Sequence, residues 1–242
     1  MSTSARWPKI IPPLTPQQQV ISDDFMKHWH EVLQARFGIV DRFNQSYFRT
    51  GPAGFTRTLE IGAGLGEHLN YEQLTPQQEE NYFALELREN MSAVLRQRWP
   101  RINVITGDCQ ERLDKPDGFF DRILAIHVLE HLPNLPAAIA EMYRLCDKTR
   151  GYFSVVIPCE GGMAYGLARR ISAQRIFEKR YKQSYRWLIS REHINLPREI
   201  MGELDPYFTV VHRRFFPLRV PLVFCNLVIG LTLRPRPAPL AV

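Results

Sequence analysis

Residues 58–69 read TLEIGAGLGEHL, a short apolar run holding an acid, then glycine at alternate positions, Gly62, Gly64 and Gly66. Placed between a strand and a helix, such a loop lets the backbone turn tightly and pass close to a ligand that a β-carbon would block. The residues that follow exclude two common nucleotide loops. A dinucleotide loop needs its third glycine where Glu67 stands, and a phosphate-binding P-loop needs Gly-Lys followed by Ser or Thr, which is absent. No lysine stands there to hold a phosphate.

From Arg57 onward, short apolar runs alternate with helical stretches, the pattern of parallel strands joined by crossover helices. Strands are expected at about 57–61, 81–86, 102–106, 120–126 and 152–157, with helices near 66–74, 88–98 and 135–147. Leu135, Ala138, Ile139, Met142, Tyr143 and Cys146 share one side of the last helix, so the sheet is expected to be buried on both faces. Two further strand-like runs close the chain with no helix-length crossover between them, and they pair antiparallel if adjacent. The most apolar stretch, VPLVFCNLVIGLTL at 220–233, is shorter than a bilayer span and contains Pro221 and Asn226. It reads as buried sheet.

The expected fold is therefore α/β: a Rossmann-like, doubly wound sheet of seven strands, mostly parallel, with a C-terminal antiparallel hairpin. Residues 1–50 are read as an N-terminal arm and covering helices, and 51–242 as the main domain with an insertion at about 158–195. Pro8, Pro12 and Pro13 keep the arm extended. Thr15, Pro16 and Gln18 then form a helix-start signal with the makings of a capping box. Val20, Ile21, Phe25, Trp29, Val32, Leu33, Phe37, Val40 and Phe43 follow as one apolar stripe, interrupted at Gly38.

The spacing Glu60-Ile61-Gly62-Ala63-Gly64-Leu65-Gly66 resembles the first motif of class I S-adenosylmethionine-dependent methyltransferases. That cofactor has no phosphate and carries a sulfonium and an ammonium, which an acid such as Glu60 favours. Glu86 ends the second strand in YFALELREN, where a carboxylate can accept both ribose hydroxyls, and Leu87 follows it. Asp108, in GDCQ after the third strand, resembles the family residue that bonds the adenine amine, with the Cys109 amide beside it. The resemblance thus implies an S-adenosylmethionine site built from Glu60, Gly62, Ala63, Gly64, Gly66, Glu86, Leu87, Asp108 and Cys109. It adds His68 toward the carboxylate end of the cofactor and His127 closing over it. Ligands of open α/β sheets bind at the carboxyl ends of the strands, where these residues would meet. The resemblance covers 57–157 closely and 197–234 in outline.

After the fourth strand, AIHVLEHLPN is similar to the corresponding motif of small-molecule methyltransferases, including the ubiquinone-biosynthesis O-methyltransferases. Methyl transfer is an in-line displacement, so positioning supplies much of the catalysis. A hydroxyl acceptor must also lose its proton, and a histidine, with an ordinary pKa of about 6.5, can take it. His131, His193 in REHINLP and His127 are the candidate catalytic residues. In the ubiquinone relatives a glutamate stands in place of His127, and a Glu/Glu/His group holds a divalent metal. Here that first carboxylate is missing and no metal is assigned, although the set His127, Glu130 and His131 could still bind zinc or magnesium.

The chain carries a formal charge of +6, concentrated in Arg169, Arg170, Arg175, Lys179, Arg180, Lys182, Arg186 and Arg191. Tyr165, Phe177, Tyr181, Tyr185 and Trp187 interleave with them, a mixture able to clamp a pyrophosphate, a sugar-phosphate lipid or a nucleic acid. The block from IPCEGG through EHINLP to FFPL looks similar to methyltransferases of bacterial surface-polysaccharide clusters, which implies a sugar hydroxyl on a lipid-linked or nucleotide-linked glycan. Nucleic acid is the less expected partner, because the Asn/Asp-Pro-Pro-Tyr/Phe signature of amino-group methylation is absent after the fourth strand. A non-catalytic cofactor-binding module of a glycan-assembly complex is the other alternative. Four scattered cysteines and an N-terminus without a secretory apolar core fit a cytoplasmic protein, with peripheral contact at the inner membrane surface.

Overall fold

The computed structural model describes residues 7–28 and 38–239. Strands β1 (Thr58–Ile61), β2 (Tyr82–Glu86), β3 (Asn103–Thr106), β4 (Arg122–Ile126) and β5 (Tyr152–Pro158) pair in parallel. They are completed by β6 (Phe208–Phe216) and β7 (Val228–Pro235), β7 running antiparallel to both β5 and β6. The result is one seven-stranded sheet in the order β3-β2-β1-β4-β5-β7-β6. Each of the five expected parallel strands stands within two residues of its expected start.

The helices are α1 (Pro16–His28), α2 (Gly38–Ser46), α3 (Pro76–Glu80), α4 (Glu89–Arg98) and α5 (Leu135–Leu145), then α6 (Met163–Arg169), α7 (Arg175–Tyr181), α8 (Arg186–Glu192) and α9 (Pro197–Leu204). Strand residues alternate between two apolar layers, as pleating requires. Leu59, Ile61, Leu85, Ile123, Ala125, Phe153 and Val155 face the layer that holds α5 and α9. On the opposite face, Leu124, Val156 and Val228 meet Phe43, Tyr47 and Phe48, while Tyr82 and Ala84 meet Leu95 of α4. The sheet is buried on both faces, so the doubly wound expectation holds.

At the start of α1, Gln18 N donates to Thr15 Oγ1 at 3.2 Å and Thr15 N to Gln18 Oε1 at 3.0 Å, the capping box read from the sequence. The stripe that follows does not form one covering surface. Phe25 packs with Ala173, Phe177, Tyr185 and Leu188 of the insertion, whereas Phe43 of α2 packs on the sheet. Val20 is exposed, and Trp29, Val32, Leu33 and Phe37 lie outside the described residues.

Two other expectations need correction. The helix near 66–74 is a single 3-10 turn, His68–Tyr71, because Gly66 has a positive φ of 78° and the chain extends again at Glu72 toward Pro76. The apolar stretch 220–233 is sheet only from Val228. Before it, the buried Asn226 side chain donates to the carbonyls of Val220 and Leu222 and accepts from Leu218 N, building a rigid loop that exposes Val220, Leu222 and Phe224. No helix among the described residues is long and apolar enough to cross a membrane.

A buried charge network joins the segment after the glycine loop to the sheet. Arg122, at the start of β4, pairs with Glu72 and stacks on Phe55 at 4.0 Å. His68 Nε2 bonds Glu72 Oε1 at 2.6 Å, and His68 Nδ1 bonds the Gln45 carbonyl at 2.9 Å. Burial alone would raise the Glu72 pKa, but His68 and Arg122 outweigh it and bring it down to about 2. The pair therefore contributes stability that is complete above the ordinary value of 4.5 and is lost as pH falls through about 2. Glu72→Gln leaves Arg122 buried without its counter-charge and is expected to cost about 3–5 kcal/mol. In chemical denaturation from neutral pH down to pH 2, the variant is expected to show a shallower acid loss than the wild type; parallel curves would refute this assignment.

Candidate active site

The glycine loop follows β1 directly. Gly62, Gly64 and Gly66 all have positive φ, at 62°, 59° and 78°. A β-carbon on Gly62 would lie 2.4 Å from Val128 Cγ2, and one on Gly66 would lie 2.8 Å from Leu95 and Trp99. Gly62 and Gly66 are thus required by the protein's own packing, while Gly64 faces freer space. Gly64 N donates to Glu86 Oε2 at 3.0 Å, and Glu86 Oε1 accepts from Arg88 N at 3.0 Å, so the acid ending β2 is tied to the loop.

Glu60 is not at the strand tip. It is the third residue of β1, buried on the face toward α2, where Tyr82 donates a hydrogen bond to its Oε2 at 2.6 Å. Burial raises its pKa, opposed by His68, Tyr82 and Arg122. Asp108 follows β3 and accepts from the Gln110 backbone at 2.9 Å and from its side chain at 3.0 and 2.9 Å, and Cys109 beside it is buried. His68 has both ring nitrogens committed, to Gln45 and Glu72, so it presents only ring carbon to a ligand. It also lines the cavity beside the glycine loop.

A cavity of about 450 Å³ opens beside the loop. Glu60, Gly62, Ala63 and Gly64 form one wall, His127, Glu130, His131 and His193 another, and Phe25, Tyr165, Arg169 and Tyr185 a third. Gly66, Glu86, Leu87, Asp108 and Cys109 lie outside this cavity, further along the same carboxyl edge of the sheet. The sequence-predicted residues therefore divide into a group around the glycine loop and a second group on β2 and β3.

The histidines gather around one carboxylate. His127 has a positive φ of 53°, an uncommon backbone for a non-glycine residue and one found at functional sites. Its Nδ1 donates to Glu130 Oε1 at 2.9 Å. Glu130 is fully buried. Burial would raise its pKa, but the His127 hydrogen bond and the nearby His127, His131 and His193 rings lower it to about 2. His131 Nδ1 donates to the Glu192 carbonyl, and burial lowers the His131 pKa against the pull of Glu130. His193 Nδ1 donates to Glu160 Oε2 at 2.9 Å, and the His131 and His193 ring centres are 5.1 Å apart. All three candidate catalytic histidines thus converge.

Sequence reading missed Glu160, Glu192 and Asn195. Asn195 is fully buried and donates to the carbonyls of Leu129 and Leu132 at 2.8 Å, while the Ile194 and Asn195 amides reach the Glu130 carbonyl at 2.9 and 3.0 Å. This clamp carries His193 to Glu130. The only signal was adjacency, since Glu192 and Asn195 flank His193 in EHIN. The basic insertion, by contrast, does not converge on the cavity: of its eight cations only Arg169 lines it, paired with Glu160, while Arg180 binds Asp24. In place of a basic clamp, the insertion contributes a π-helical turn, Arg170–Gln174, whose Ser172 and Ala173 reach the cavity wall.

A family model described as a methyltransferase domain matches residues 59–155. A search of the curated proteins finds no match. Among solved structures, a TehB-like S-adenosylmethionine-dependent methyltransferase from Corynebacterium glutamicum superposes with a TM-score of 0.55 at 14% identity, over 90% of this chain and 100% of that one. A 1,6-didemethyltoxoflavin-N1-methyltransferase from Burkholderia thailandensis, solved with S-adenosylhomocysteine, does so at 0.55 and 19%, over 97% and 98%. The [4+2]-cyclase SpnF matches at 0.56 and 15%, over 83% and 82%, so the fold by itself does not dictate the reaction. Residues 59–155 match the methyltransferase-domain family model, and the chain has the class I S-adenosylmethionine-dependent methyltransferase fold.

The Gly62–Val128 contact is testable by a double-mutant cycle. Gly62→Ala is expected to destabilise the protein and weaken S-adenosylhomocysteine binding. Val128→Ala removes the obstructing methyls, so the two changes are expected to couple favourably by about 1 kcal/mol or more. Purely additive costs in denaturant titrations would show that the contact does not set the loop.

Proposed function

We propose that the protein transfers a methyl group from S-adenosylmethionine to a hydroxyl of an acceptor whose reacting end is small and largely uncharged, with a sugar hydroxyl, free or lipid-linked, the favoured case. The observation that carries this reading is the histidine cluster facing the glycine loop across one cavity. The glycine loop with Glu60, Glu86, Leu87, Asp108 and Cys109 would hold the cofactor along the carboxyl edge of the sheet, its methionine end toward the cavity. The aromatic wall of Phe25, Tyr165 and Tyr185 suits the flat face of a cyclic acceptor.

His127 is the preferred base. Its Nδ1 proton is held by the Glu130 carboxylate, which leaves Nε2 to accept a proton and stabilises the imidazolium that results. His131 is the poorer base, because its Nδ1 partner is a carbonyl and burial lowers its pKa. As the acceptor oxygen bonds to the methyl carbon, the carbon–sulfur bond breaks and its electron pair stays on sulfur. Nucleic acid fits the site less well, since only Arg169 among the eight cations of the insertion lines the cavity, and it is paired with Glu160.

Labelled cofactor offered with a panel of saccharide and phenolic acceptors tests the reading. His127→Asn keeps a residue type that tolerates positive φ and removes the base. A fall in kcat of about 10²–10⁴ with unchanged S-adenosylhomocysteine affinity is expected. Full activity in the variant would remove His127 from the chemistry, and cofactor binding without transfer to any acceptor would favour a binding module.

A lipid-linked acceptor is supported by the outer surface beside the cavity. Met163, Leu167 and Ile171 are exposed at intervals of four, next to the loop that exposes Leu218, Val220, Leu222 and Phe224. Arg170, Arg175 and Arg219 are exposed among them, and residues 161–177 and 206–242 contain no acid. Sedimentation with anionic vesicles, absent with neutral ones and reduced in Leu167→Asp, is the expected result. No sedimentation with either lipid would leave a soluble acceptor.

A further inference from the structure

We propose that Glu130, His131 and His193 form a binding site for one divalent transition metal of the zinc class. Their donor atoms lie within 4.8 Å of one another on the cavity wall. Ligand bonds of about 2.0–2.2 Å would set tetrahedral donors roughly 3.3–3.5 Å apart, so no pair has to close by more than about 1.5 Å around an ion.

Three features go beyond mere proximity. Glu130 is fully buried, and although its Oε1 is satisfied by His127, its Oε2 has no hydrogen-bond partner in the protein. Leaving a buried carboxylate oxygen without a donor is costly, and a cation removes that cost. Both imidazoles are also held from behind. A carbonyl oxygen takes the Nδ1 proton of His131 and the Glu160 carboxylate takes that of His193, which fixes each tautomer with a bare Nε2. That outer support is what metal-ligating histidines usually have. Finally, one carboxylate and two neutral imidazoles is a donor set that zinc and its neighbours accept, and three protein donors leave a position open to the cavity.

This site is not the Glu/Glu/His arrangement that the sequence lacks. His127, standing where that first glutamate would be, is not a ligand and instead orients Glu130. The third donor arrives from the far end of the insertion, carried by the Asn195 clamp. What the ion would do rests on the methyl-transfer reading: it would make an acceptor oxygen at the open position more acidic, and His127 would be the residue to take the proton. The ion's binding does not depend on that reading.

The test uses the full chain, freed of metal by chelator and dialysis. It is titrated with Zn2+ against a chromogenic chelator and with Co2+ followed by visible absorption, while calorimetry with S-adenosylhomocysteine reports folding of the cofactor site. One ion per chain is expected, with a Kd in the micromolar range or tighter. His193→Ala is expected to weaken it by about 100-fold or more, and Glu160→Gln, which removes the outer support of His193 and the Arg169 ion pair but no ligand, by about 10–100-fold. Should His193→Ala also lose S-adenosylhomocysteine binding, the Glu160→Gln result decides. Absence of saturable uptake, or wild-type affinity in both variants, overturns the site. Failure of S-adenosylhomocysteine to bind the wild type would strike the cofactor reading and leave the metal result standing.

Discussion

The close approach of Gly62 to Val128 is the constraint on which the site depends. These two residues lie just past the ends of the adjacent parallel strands β1 and β4, and a β-carbon on the first would sit 2.4 Å from a methyl of the second. The glycine loop and the histidine-bearing turn after β4 are therefore one packed unit. Because His127 follows β4 with a positive φ and its amide bonds the Val156 carbonyl at 2.9 Å, β5 also fixes where the imidazole begins. A ligand wall and a chemical wall separated by a cavity emerge from strand pairing plus a single missing side chain.

Beneath that unit lies a second layer of order, made of charge. Arg122, Glu72, His68, Glu60 and Tyr82 occupy the α2-facing side of the sheet, and nearly every polar atom among them has a partner. Such a network stabilises little compared with apolar packing of the same volume, but removing one member leaves another charge stranded. Its effect is to specify position: the turn after the glycine loop can sit in only one way over β1 and β4. The same logic recurs around Glu130, with one difference. In the first network the atom without a partner is Arg122 Nε; in the second it is a carboxylate oxygen of a cavity-lining residue, which makes that network an open one.

The sequence revealed what repeats and what contacts locally. Parallel strands are continuous apolar runs, so all five could be placed, and Thr15-x-x-Gln18 announced the first helix through bonds spanning three residues. The glycines were legible because each departs from what an ordinary strand-to-helix turn needs. What failed was anything decided by tertiary placement. Phe25 and Phe43 share a periodicity but pack against different partners, and Glu60 looked like a strand-tip acid until its neighbour Tyr82 drew it into the core. The insertion misled for the same reason. Its arginines are conspicuous as a run, yet helical geometry turns most of them outward and leaves Tyr165, Arg169 and Ser172 facing the cavity.

Glu160 and Asn195 show why site residues outnumber motif residues. Neither does chemistry in isolation, and neither belongs to a recognisable pattern. Asn195 supplies two amide donors to carbonyls of the turn that carries Glu130, so His193 is delivered by backbone bonding and does not rely on its own side-chain contacts. Glu160 then takes the Nδ1 proton and decides which face of the ring is basic. With His131 oriented by a carbonyl and His127 by Glu130 itself, three rings from two distant segments present the same nitrogen. Independent anchoring of each ring through Nδ1 is hard to reconcile with chance packing of surface histidines, which would leave at least one free to bond solvent through either nitrogen. The placement of those three protons, fixed by atoms outside the cavity, is what makes the cavity wall a single chemical surface.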